Sequence, residues 1–201
     1  MKALILVDIQ NDFMPGGALA VARGDEVVAV ANRVQAGFDL VVASQDWHPA
    51  DHGSFAANHP GRSPGDAIEL DGLPQILWPL HCVQGTPGAE LVESLDTSRI
   101  AHVFHKGADA QFDSYSAFFD NGRRRSTGLA AYLRVRGVEE VSLLGLATDY
   151  CVKFTALDAV KEEFATRVIA NGCRAVDLAP GDGQRALEEM RAAGVEVVHH
   201  E

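Results

Sequence analysis

Short, mostly apolar runs recur along the chain at residues 3–7, 40–44, 101–105, 141–146, 166–170 and 195–199. Runs of this length suit strands that are covered on both faces. Between several of them the apolar spacing becomes helical. Asp25 is placed to N-cap a helix whose apolar positions are Val27, Val28, Val30, Ala31 and Val34, with Gly37 to stop it. Leu129, Ala130, Leu133 and Val135 predict a second helix that Gly137 ends. A third carries Cys151 in its first turn and Val152, Ala156, Ala159 and Val160 along one side. A fourth runs over about residues 183–193 and stops at Gly194. Strands that alternate with helices predict an α/β fold. The expected form is one doubly wound, mostly parallel sheet of about six strands, with helices on both faces. No repeat, linker or low-complexity tract divides residues 1–201, so a single domain is expected.

One segment breaks the pattern. Residues 47–84 are rich in Pro, Gly, His and Asp and have little periodicity. A loop of that length inside a compact domain is usually functional or disordered, and the density of His and aromatic residues favours function. Ligands of open α/β sheets sit beyond the carboxyl ends of the strands, so the residues delivered there matter most. The first run ends at Asp8, the second at Asp46 with His48 after it, the third at His105 and Lys106, and the fourth in the turn before Cys151.

Composition narrows the partners. With 17 Lys and Arg against 28 Asp and Glu, the net charge is −11. That argues against nucleic acid and anionic membranes. The one basic cluster, Arg123-Arg124-Arg125, reads as a solvated helix start. No stretch approaches a membrane span, and the opening MKALILVDIQ is too short in apolar residues for a secretory leader. Three widely spaced cysteines, Cys82, Cys151 and Cys173, do not suggest a disulfide framework, so free thiols in a reducing cytoplasm are expected.

Two constellations carry chemistry. Cys151 follows a strand-to-turn junction, where amide dipoles and a cation such as Lys106 can lower a thiol pKa from about 8.5 to about 3.5–7.5. Asp8 could then exchange protons with the sulfur and with a leaving amine. Cys151 could equally be a small core residue. Cys82 and Cys173 lie on no such turn and read as structural. The second constellation is SQDWHPADH, where Asp46 and His48 share a side of an extended chain, His52 follows, and His81 lies in WPLHCVQGT. One carboxylate and two imidazoles suit zinc, iron or manganese. Phe13 and Trp78 could wall a pocket for a flat ring, or simply pack. Phe118 and Phe119 read as packing. Gly16-Gly17 reads as a turn, and no dinucleotide-binding glycine pattern follows the first strand.

Five ordered blocks resemble the nicotinamidase/pyrazinamidase family of the isochorismatase-like cysteine hydrolases. They are LILVDIQNDFMPGGALAV, SQDWHPADHGSFAANHPG, LWPLHCVQGTPGAEL, FHKGADAQFDSYSAF and LLGLATDYCVKFTALDA. The resemblance implies an isochorismatase-like fold with an irregular metal-binding segment at about 46–84. It implies a catalytic triad of Asp8, Lys106 and Cys151, and one divalent metal, zinc first, on Asp46, His48 and His81. His52 matches a position that is a ligand in some members and a neighbour in others. Phe13 and Trp78 match the residues that sandwich the substrate ring, and Tyr115 matches a tyrosine near it. A cis peptide is implied at Leu146-Ala147, aiming the amides of Ala147 and Cys151 into an oxyanion hole. The implied activity is hydrolysis of nicotinamide, and of pyrazinamide, through a cysteine thioester, in salvage of nicotinamide for NAD synthesis. A homo-oligomer is also compatible with the resemblance. Alternatives remain at this point: a metallohydrolase in which Asp46, His48 and His81 activate water, an isochorismatase-like hydrolase of another amide, or a catalytically dead binding module.

Overall fold

In chain order the elements of the computed structural model, which describes residues 1–200, are β1 (Lys2–Val7), α1 (Glu26–Val34), β2 (Leu40–Asp46), β3 (Ala67–Leu70), β4 (Leu73–Ile76), β5 (Ile100–Lys106), α2 (Leu129–Val135), β6 (Glu140–Leu146), α3 (Lys153–Lys161), β7 (Ala165–Arg174), α4 (Asp182–Ala192) and β8 (Glu196–Val198). Six strands form one sheet in the order β5-β2-β1-β6-β7-β8, and every pairing in it is parallel. The central strands explain the unbroken apolar runs. Ala3–Val7 of β1, all of β2 and most of β6 are buried, so neither face could be polar. Helix α1 packs on β6 and β7, α3 packs on β7 and α4, and α4 also meets β8.

Several expectations are corrected. Residues 67–76, inside the segment expected to be irregular, form an antiparallel hairpin closed by Asp71-Gly72, both at positive φ. That dipeptide is a strong hairpin signal, and it stood in the sequence. Asp25 occupies the cap position of α1 but is itself helical and makes no side-chain cap bond. Val135 is 85% exposed. It lies two residues beyond Leu133, which turns it about 200° away from the buried stripe. The three arginines do not start a helix. They sit in the loop before α2, where Arg123 pairs with Asp158 and Glu162, Arg124 with Asp71, and Arg125 with Asp109. Each is spent on tying a loop down.

Candidate active site

At the carboxyl edge of the sheet, β1, β5 and the turn after β6 bring three groups together. Lys106 is among the largest fully buried side chains of the protein. Its Nζ lies 2.9 Å from Asp8 Oδ2 and donates to Cys151 Sγ at 3.3 Å and to Ser114 O at 3.1 Å. It also pairs with Asp46 Oδ1. Asp8 turns the chain out of β1 in a left-handed conformation, φ 49°, which aspartate tolerates better than most residues. Its amide donates to Ser44 O, and its Oδ1 accepts from Ser44 Oγ at 2.7 Å. The other oxygen, Oδ2, holds the ion pair to Lys106 and no hydrogen bond besides. One carboxylate oxygen each of Asp8 and Asp46 and the sulfur of Cys151 lie within 4.8 Å of one another.

The electrostatics differ from the sequence expectation. A low thiol pKa is expected from the turn and the lysine, but burial pushes the Cys151 thiol up. Lys106 opposes that shift, while Asp8 and Asp46 add to it. Burial also pushes the Asp8 carboxyl up, against the pull of Lys106. Burial works against the ammonium too, yet Asp46 and Asp8 together hold Lys106 firmly charged. The resting site therefore holds a protonated thiol next to a carboxyl whose basicity has been raised to meet it. Cys82 and Cys173 are buried free thiols, and burial pushes Cys173 up to about 12.

Beside this group stands the second constellation. Single ligand atoms of Asp46, His48 and His81 lie within 4.8 Å of one another, and all three residues are buried. His48 Nε2 is 3.6 Å from Asp46 Oδ1, and His81 Nε2 is 3.8 Å from Asp46 Oδ2. The Nδ1–H of His48 donates to Gly107 O at 2.9 Å, and that of His81 to Pro79 O at 2.7 Å. Those bonds take the Nδ1 proton of each ring and turn both Nε2 atoms toward the carboxylate, where each could give its lone pair to a metal ion. The donor set fits a divalent zinc-like ion. Gly107 is needed here, since its φ is +61° and a Cβ would overlap the His48 ring.

His52 lies next to His48, with ring centroids 4.3 Å apart, but is turned to other partners. Its Nδ1 accepts from the Ser54 amide at 3.2 Å and meets Ser54 Oγ at 2.7 Å, which leaves Nε2–H to donate to Phe112 O at 3.3 Å. With those bonds neither nitrogen offers a lone pair to the Asp46, His48 and His81 group, although single ligand atoms of His52, His48 and Asp113 also lie within 4.8 Å of one another. Burial, with His48 adding to it, holds this imidazole down to about 4 from 6.5. The unfolded chain therefore takes up the proton first. Stability from a neutral His52 is present above pH 6.5 and is lost as pH falls toward about 4. Denaturant titration of metal-free protein should show that decline, and His52→Gln should flatten it.

Both constellations open on one small cleft. Phe13, Trp78, Tyr115 and Tyr150 supply its aromatic walls, and Ala147 and Cys151 its floor. Trp78 meets Tyr150 edge-on at 4.9 Å and donates through Nε1 to the Tyr115 hydroxyl at 3.2 Å. Gln75, delivered by the hairpin, donates to the same hydroxyl at 3.2 Å and to Asp113 Oδ2 at 2.7 Å. Gln10 grips Asp46 from both sides, taking its amide and giving to its carbonyl at 2.8 Å each. The peptide Leu146-Ala147 is cis.

The sequence profile of the isochorismatase domain matches residues 2–201. The chain belongs to the isochorismatase family. Within that family it groups with nicotinamidases and pyrazinamidases. It is 55% identical to a nicotinamidase of Escherichia coli, over 96% of this chain and 92% of the relative. A solved nicotinamidase/pyrazinamidase of Acinetobacter baumanii superposes with a TM-score of 0.95 at 46% identity, covering 98% of this chain and 95% of the other. A pyrazinamidase of Pyrococcus horikoshii, solved in complex with zinc, gives 0.81 at 38% identity and 99% coverage of both chains. In this isochorismatase-family chain, sequence reasoning passed over Ser44, Gln10, Gln75, Asp113 and Tyr150. Ser44 and Gln10 did leave a trace, as polar residues in or just after otherwise apolar strands. Gln75 and Asp113 left none, because their partners are distant in sequence.

Proposed function

We propose that this protein hydrolyses nicotinamide, and pyrazinamide with it, to the carboxylic acid and ammonia through a thioester on Cys151. The observation that carries the reading is the Lys106 ammonium, 2.9 Å from Asp8 and 3.3 Å from the sulfur of Cys151, which itself lines an aromatic cleft. The substrate comes from the activities for which the relatives are named.

The ring enters between Phe13 and Trp78 with its carboxamide toward the sulfur. Asp8 Oδ2 takes the thiol proton, and Lys106 balances the charge that results. The sulfur attacks the amide carbon, and the carbonyl electron pair moves onto oxygen, which the amides of Ala147 and Cys151 receive. Removing one such donor typically costs about 2.7–4 kcal/mol. Asp8 returns its proton to the nitrogen, the C–N bond breaks, and ammonia leaves a thioester behind. Water then attacks the thioester carbon as Asp8 accepts its proton. The C–S bond breaks, the sulfur is reprotonated, and the acid departs. A divalent ion on Asp46, His48 and His81, zinc first with iron and manganese as alternatives, would supply a Lewis-acidic anchor for the ring nitrogen. The free thiols suit a cytoplasmic setting.

Ammonia release from nicotinamide by the purified protein tests the reading, and no release from either amide sinks it. Iodoacetamide should inactivate the protein, with nicotinamide protecting it. His48→Ala should reduce bound metal by about 10-fold or more at equal total metal, read by elemental analysis after dialysis.

A further inference from the structure

Three contacts converge on the side chain of Asp12. Its Oδ2 accepts from the Cys82 amide at 2.7 Å, and its Oδ1 accepts from the Ala18 amide at 3.3 Å. The backbone of Gly88 lies so close to the carboxylate that a Cβ there would overlap it. One chain neighbour each of Asp12, Cys82 and Ala18 reaches the cleft. Phe13 follows Asp12, His81 precedes Cys82, and Leu19 follows Ala18; all three line it. The Leu19 amide also donates to Asp12 O at 3.0 Å. Cys82 turns sharply, φ 46°, directly after His81, and Asp12 holds the chain at that turn. The rings of Phe13 and His81 stand 5.7 Å apart across this joint.

We propose that Asp12 is a positioning residue of the site. By gripping the Cys82 and Ala18 amides it sets His81 as a metal ligand, and it sets Phe13 and Leu19 as the wall that receives the ring. The inference rests on the function proposed above. It gives the MPGGAL and VQGTPGAE stretches a physical purpose: one supplies the loop that Asp12 ties down, and the other supplies the glycine that lets its carboxylate fit. The device works by shape as well as charge, because Gly88 leaves no room for a longer acid.

Equilibrium dialysis with Zn²⁺, nicotinamide kinetics and thermal melts on three variants test it. Asp12→Ala should weaken Zn²⁺ binding by about 10-fold or more and raise KM by a similar factor. Asp12→Asn keeps one acceptor, which the shorter Cys82 bond claims. It should hold Zn²⁺ within about threefold of wild type while KM rises severalfold, because the Ala18 anchor is lost. Asp12→Glu keeps the charge but should weaken Zn²⁺ binding as Asp12→Ala does. A purely structural role predicts lower melting temperatures with Zn²⁺ affinity and KM unchanged, and that result overturns the proposal. If Asp12→Ala does not fold, equal Zn²⁺ affinities for the Asn and Glu variants, or a wild-type KM for Asp12→Asn, overturn it instead. Wild-type protein that binds no Zn²⁺ contradicts the proposed function, which is a separate failure.

Discussion

Cys151→Ala should lower nicotinamide turnover by on the order of 10⁵-fold and leave nicotinamide binding within a few-fold of wild type. The two outcomes separate because the groups that would bind the ring and the group that would attack it are different. Phe13, Trp78, Asp46, His48 and His81 line the cleft without the sulfur. Alanine also removes the thiol that burial and two carboxylates hold protonated, so the local charge of the resting site is unchanged. Single-turnover kinetics and calorimetric titration of the variant check both halves. Retention of near-wild-type turnover would end the thioester mechanism and make metal-activated water the better reading.

Lys106→Met has the second large effect, on stability and activity together. Lys106 is 2% exposed and faces the carboxylates of Asp8 and Asp46. Removing one partner of a buried ion pair costs about 3–5 kcal/mol, because the remaining charge stays buried. For a chain of this size that lowers Tm by roughly 6–20 °C. The pH dependence has a definite sign. Burial already raises the Asp8 pKa with the lysine present, and losing the lysine raises it further. A carboxyl raised in the folded state favours folding when protonated, below its unfolded value of about 3.9, and that gain is lost as pH rises through the folded pKa. The deficit of the variant is therefore largest near neutral pH and narrows toward pH 4. Adding Asp8→Asn should recover most of the stability and none of the turnover. A single variant as stable as wild type at pH 7 would show that the ammonium is not what keeps the buried carboxylates tolerable.

These expectations also explain why a 201-residue chain keeps such a group in its interior. Two carboxylates, an ammonium and a thiol within one buried cluster do not serve the core as apolar residues of the same volume would. The proposed reaction gives that arrangement a use, because in it a proton moves between sulfur, carboxyl and a leaving nitrogen. The hydrogen bond from Ser44 supports that view, since it turns the second Asp8 oxygen toward the lysine.

Local pattern alone determined a good deal about this protein. The apolar runs placed all six strands of the main sheet and the helical spacing all four helices, except that Cys151, expected in the first turn of the third, stands in a wider π-helical turn, Thr148–Val152, just before α3. The parallel order then implied that Asp8, Asp46, Lys106 and Cys151 leave the sheet at one edge. Those inferences succeed because burial on two faces and helical period are written into neighbouring residues. Only the tertiary structure decided the rest. The pKa of Cys151 moves up because depth in the fold outweighs the lysine, and depth has no signature in a short window. His52 turns away from the Asp46, His48 and His81 group because Ser54 and Phe112 claim its nitrogens, and Phe112 is 60 residues away. The three arginines find acids on separate segments for the same reason. Charge, tautomer and partner choice depend on what the folded chain brings within a few ångströms, and no local periodicity encodes that.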